Sequence, residues 1–112
     1  MTEPRAVRHF IDGEFVDSLD GSTFESISPS DNTGVAVVAE GKIADADRAV
    51  EAARRAFDHG PWPRMSPAAR RAIIHKAADL IESRLDELAT WETLDMGKPI
   101  SECRTKDVPR TA

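Results

Sequence analysis

The chain holds a single cysteine, Cys103, among its 112 residues, so no internal disulfide can staple it. That scarcity makes a reducing cytoplasm the expected compartment. No apolar run approaches the length of a membrane span. The opening residues, Met1-Thr2-Glu3-Pro4-Arg5, lack the apolar core of a secretory signal. Clustered Lys and Arg are missing too. The net charge is −5 with a pI near 5.1, which argues against a nucleic-acid or anionic-membrane surface. The six glycines lie too far apart for a dinucleotide-binding fingerprint. Gly97-Lys98 is followed by Pro99, where a phosphate-binding loop needs Ser or Thr. Cys103, His9, His59 and His75 are scattered, so they do not form a zinc cluster. The part of the chain before Gly41 holds no recognisable repeat or low-complexity tract.

What remains has the composition of a folded domain. Charged residues make up 31% and hydrophobic residues 40%, and the length fits one domain. Residues 1–7 read as a loose leader. His9-Phe10-Ile11 and Glu14-Phe15-Val16 flank Asp12-Gly13, and Asp-Gly between short apolar runs predicts a hairpin closed by a type I′ turn. Leu19 to Ser22 forms another turn, and Thr23 to Ile27 alternates as a strand. Pro29 to Gly34 is a turn cluster in which Asn32 or Gly34 can turn left-handed. Val35 to Ala39 is nearly continuous in its apolar character, as expected of a strand covered on both faces.

Beyond Gly41 the period changes. Ala46, Ala49, Val50, Ala53 and Phe57 recur at helical spacing and predict a helix over about 44–58, with Asp45 and Asp47 favouring its first turn. Gly60 to Pro63 is a stiff connector anchored by Trp62. Ser66-Pro67 opens the next helix as N-cap and first helical residue. No Gly or Pro interrupts residues 68–96, and Ile74, Ile81, Leu85 and Leu88 keep one face apolar. A break is expected near Ser83, where Ser83 and Asp86 resemble a fresh N-terminal cap. A short helical turn through Cys103 follows Pro99, and Asp107 is the expected cap of a last helix that starts without a body.

The stretch Glu92 to Pro99 stands out. Gly97 is placed to close a helix in the left-handed conformation, and Pro99 prevents its continuation. Glu92 and Asp95 sit in the last turn, where the helix dipole disfavours negative charge. A cation nearby would resolve this. Lys98 is one candidate and a bound metal ion is the other. Of the remaining chemistry-bearing residues, His75 reads as a surface or boundary histidine, and Trp62 and Trp91 read as packing anchors. Cys103 lies between Glu102 and Arg104 with no histidine near it in sequence, so it reads as a small structural side chain rather than a nucleophile. Spacing and composition by themselves reveal no active site.

Taken together, several blocks resemble the N-terminal part of the aldehyde dehydrogenase superfamily. They are Phe10 to Val16, Val38 to Gly41 leading into Ala49 to Phe57, Gly60-Pro61-Trp62 with Arg64 to Pro67, Ala78 to Glu82, and above all Glu92 to Pro99. The order and spacing match over nearly all of residues 8–112. Departures are local. Ser28-Pro29 replaces the usual Asn-Pro, Asn32 replaces a turn glycine, and Ala69 replaces the acid of a capping box.

The resemblance implies an incomplete α/β fold of the aldehyde dehydrogenase type, with an N-terminal β-hairpin and short strands followed by three or four α-helices. Residues 8–41 would belong to the N-terminal, oligomerisation part. Residues 42–112 would be helices packing on the cofactor-binding domain. The implied activity is NAD(P)-dependent oxidation of an aldehyde to a carboxylic acid in a cytoplasmic homo-oligomer, with NAD or NADP as cofactor. The family's nucleophilic cysteine, general-base glutamate and cofactor loops all fall beyond the equivalent of Ala112. No catalytic or cofactor-binding residue is therefore assigned in this segment, which reads as scaffold and is expected to be inactive alone. Its partner would be the remainder of the subunit. The alternative is a stand-alone, non-catalytic interaction module derived from the same segment. The resemblance also implies a structural Na or K ion held by the Asp95 carboxylate and the backbone carbonyls of Ser26 and Ile27.

Overall fold

A computed structural model describes residues 4–112. The chain divides into two units, residues 4–26 with 34–65 and residues 27–33 with 66–112. In the first, β2 (His9–Ile11) and β3 (Glu14–Val16) pair antiparallel, with His9 opposite Val16 and Ile11 opposite Glu14. Asp12 and Gly13 take φ of 56° and 81°. Positive φ at both central positions is what a type I′ turn demands, as Asp-Gly predicts. Across this hairpin the Phe10 and Phe15 rings pack in a tilted pair, 5.0 Å between centroids.

A second sheet has the order β1-β5-β4, where β1 is Arg5–Val7, β4 is Thr23–Ile27 and β5 is Gly34–Ala39. The presence of β1 corrects the expected leader. Arg5, Ala6 and Val7 run parallel to β5 and pair with Ala36, Val37 and Val38. The open edge of β5 presents backbone groups that need partners, and this short Gly-free segment supplies them. Residues 1–3 of that leader lie outside the described residues. On β5, Ala36 and Ala39 are buried while Val37 is exposed, so cover on both faces is only partly supplied within this chain.

Helix α1 spans Ile43–His59, one residue longer at each end than the spacing predicts. Its buried residues are Asp45 and Ala52, with Ala49 half-buried between them. The expected apolar stripe is present as spacing but turns mostly outward, and Val50 and Phe57 are largely exposed. Small side chains on the inner face let α1 lie close to β2. A 3-10 turn at Trp62–Arg64 closes the unit.

The second unit begins at α2, Pro67–Ser83. Ser66 is its N-cap, its hydroxyl oxygen accepting from the Ala69 N–H at 3.2 Å, as Ser-Pro predicts. The break to α3 (Leu85–Met96) falls where expected, but the cap does not. Arg84, not Ser83, occupies the junction. The Ser83 hydroxyl instead donates back to the Leu80 carbonyl at 2.9 Å, a local bond that serves the end of α2. Asp86 pairs with Arg104 at 2.9 Å.

After α3, the chain runs through α4 (Ile100–Glu102), a π-turn (Cys103–Asp107) and α5 (Val108–Thr111) with no intervening loop. This corrects the role expected of Asp107. It has helical φ and ψ of −71° and −54° and makes no capping bond. Pro109 explains the widened turn. It lacks an N–H and its ring would crowd the carbonyl four residues back. The chain relieves this by an i→i+5 bond from the Val108 N–H to the Cys103 carbonyl. The unit's core is Ala89, Cys103 and Val108, flanked by Ile81 and Leu85. Ile74 and Leu88, predicted on the same face, remain exposed.

Candidate functional site

The stretch singled out by sequence forms the end of α3 and the turn into α4. Gly97 adopts φ 71° and its N–H reaches back to the Thr93 carbonyl at 2.9 Å. This is a left-handed cap with a single five-to-one bond. The backbone at Gly97 also approaches another turn. A Cβ placed there would lie 2.8 Å from Pro29 Cγ, closer than van der Waals contact allows. Glycine is thus required twice, by conformation and by space.

That neighbouring turn, residues 27–33, is held by its own bonds. The Ser28 N–H donates to the Thr33 carbonyl at 2.8 Å and the Asn32 N–H donates to the Ser28 carbonyl at 2.9 Å. Asn32 is left-handed at φ 58°, as its residue type allows. The Thr33 hydroxyl donates to Asp31 at 2.8 Å, and its N–H does so at 3.1 Å. These bonds, the side-chain one first, hold the Asp31 carboxyl below the usual range.

Lys98 pairs with Asp107, Nζ to Oδ2 at 2.5 Å. This hydrogen-bonded contact raises the Lys98 pKa. The cation next to the end of α3 is thereby committed to Asp107, the last residue of the π-turn. Cys103 is fully buried, and the Thr93 hydroxyl donates to its sulfur at 3.6 Å. A thiol closed off in an apolar core packs as a small hydrophobe, in keeping with the structural reading of Cys103. His75 is exposed, with Arg71 Nε donating to its Nε2 at 3.3 Å.

Of the expected cation ligands, Ser26 and Ile27 are consecutive residues ending β4, and Asp95 is an exposed residue of the last turn of α3. That last turn carries no basic residue. Among the described residues no three His, Cys, Asp or Glu side chains gather at one metal position. A site built on backbone carbonyls is of a different kind and leaves no such signature.

One organising cluster escaped the sequence. Asp45 is buried, and its carboxylate accepts from the backbone N–H of Leu19 at 2.9 Å and of Lys42 at 3.0 Å. These bonds, Lys42 first, lower its pKa. Ser18, also buried, has its hydroxyl within reach of the Glu40 carbonyl at 2.8 Å, Asp20 at 3.0 Å and Asp45 at 3.1 Å. One hydroxyl proton serves one of these acceptors at a time. Asp45 thus ties the start of α1 to the turn after β3. Its first-turn position was visible in sequence. Its long-range partners, Leu19 and Ser18, lie 26 and 27 residues away and were not.

Comparison with known proteins follows the same lines. The model of the aldehyde dehydrogenase family matches residues 15–112. Aldehyde dehydrogenase 1 of Tanacetum cinerariifolium is 59% identical over 95 residues, covering 85% of this chain and 19% of that protein. An NAD-dependent aldehyde dehydrogenase from Sinorhizobium meliloti superposes with a TM-score of 0.91 at 42% identity, over 95% of this chain and 21% of that one. The NAD+ complex of an aldehyde dehydrogenase from Bacillus cereus gives 0.90 at 45% identity, over 93% of this chain and 21% of that one. The chain therefore spans about a fifth of the length of the relatives it matches. With a family match over 15–112 and the same fold in solved members, the chain belongs to the aldehyde dehydrogenase family.

Proposed function

We propose that residues 1–112 are the N-terminal scaffold of an NAD(P)-dependent aldehyde dehydrogenase that oxidises an aldehyde to a carboxylic acid. The observation that carries this is the family match over 15–112, made with about a fifth of each relative's length. The nucleophile, the general base and the cofactor loops are assigned to the remainder of the subunit. That remainder would hold the cofactor and supply the nucleophilic cysteine, and the nicotinamide would serve as the hydride acceptor. The hairpin β2–β3 belongs to the oligomerisation part of a cytoplasmic homo-oligomer. Helices α1 to α3 pack on the cofactor-binding domain, and their outward apolar side chains, Val50 and Phe57 among them, support that assignment. NAD or NADP binds outside this segment.

We propose further that Asp95, with the carbonyls of Ser26 and Ile27, holds a structural Na or K ion. The donors are all hard oxygens, which suit such a cation. Two acids in the last turn of α3, Glu92 and Asp95, oppose the helix dipole, and a bound cation offsets this.

The test of the enzyme reading is to express the reading frame through and beyond codon 112 and assay NADH and NADPH formation with a panel of aldehydes. Aldehyde-dependent reduction by the longer product, and none by residues 1–112, is expected. A longer product that folds and binds no nicotinamide nucleotide overturns the reading.

A further inference from the structure

We draw no further inference here: the strongest candidate, the outward apolar face of α1 formed by Ile43, Val50 and Phe57, is an unpartnered helix face, and nothing in the structure shows what covers it.

Discussion

On the proposed reading, residues 1–112 alone should form a poorly folded, self-associating polypeptide, and their exposed apolar side chains set the size of the deficit. Six large apolar side chains account for much of the energetic loss. Phe10, Phe15, Val50, Phe57, Ile74 and Met96 are 64%, 70%, 66%, 64%, 61% and 62% exposed. Full burial of one such side chain contributes about 1.5–3 kcal/mol, so six left about two-thirds exposed forfeit roughly 6–12 kcal/mol. The whole stability of a domain is only ~5–15 kcal/mol.

Purified residues 1–112 should therefore bind a hydrophobic dye, elute as associated species and melt broadly. They should give no aldehyde-dependent NAD(P)H signal. A pair of substitutions separates this cause from a generally weak sequence. Val50→Gln and Phe57→Gln should leave the melt of the isolated chain unchanged or improve its solubility. In the full-length subunit each should be destabilising by about 1–3 kcal/mol, because there the lost burial is real. A monomeric 1–112 with a sharp cooperative melt and no dye binding would refute the reasoning. So would equal effects of Phe57→Gln in both contexts. Turnover by the isolated chain that disappears in Cys103→Ala would refute its inertness.

Four further outcomes are expected in the full-length subunit. Gly97→Ala should destabilise by about 1–2 kcal/mol from left-handed backbone alone, and further from the 2.8 Å approach to Pro29; Gly97→Asn should be milder, and adding Pro29→Ala should recover only the steric share in a thermal-melt cycle. Cys103, fully buried, should resist a thiol reagent in native buffer when its peptide is followed by mass spectrometry, and labelling at the denatured rate would contradict its place in the core. Asp20 has its carboxyl lowered from 3.8 to about 2, chiefly by its hydrogen bonds with Ser22; a depressed folded-state value means the unfolded chain binds more protons in that window, so the stabilisation is present above about 3.8 and lost as pH falls toward about 2. Acid-unfolding curves of wild type and Asp20→Asn should accordingly converge near the lower value. Finally, Na+ or K+ should raise the melting temperature over a bulky organic cation at equal ionic strength, and Asp95→Ala should abolish the difference; an unchanged difference removes the cation site.

How much of this was legible depended on the range of the interaction behind each element. Asp12-Gly13, Ser66-Pro67 and Gly97 act through backbone preferences of one or two residues, and each produced the turn, cap or helix end it implies. Strand β1 was hidden because its existence depends on the edge of β5, some thirty positions along the chain. The π-turn was hidden for a subtler reason. Pro109 signals a helix start or a disturbance with equal force, and the Lys98–Asp107 pair and the burial of Cys103 hold the helical path through it. Asp45 shows the same limit. An acid in a first turn satisfies the helix dipole by itself, so nothing in the sequence demanded that Leu19 and Ser18 come to meet it.

The candidate cation site lies at the far end of this scale. Two of its three donors are backbone carbonyls, and every residue has one. No composition or spacing can mark Ser26 and Ile27 as ligands, and substitution of their side chains should leave such a site intact. Only the carboxylate of Asp95 carries a sequence signal, as an acid placed where the helix dipole opposes it. The proposal that the family's chemistry lies outside this segment follows the same logic. The features that do register here are caps, turns and apolar spacing, which position a scaffold. On the proposed reading, the thiolate, base and nucleotide loops belong to the remainder of the subunit.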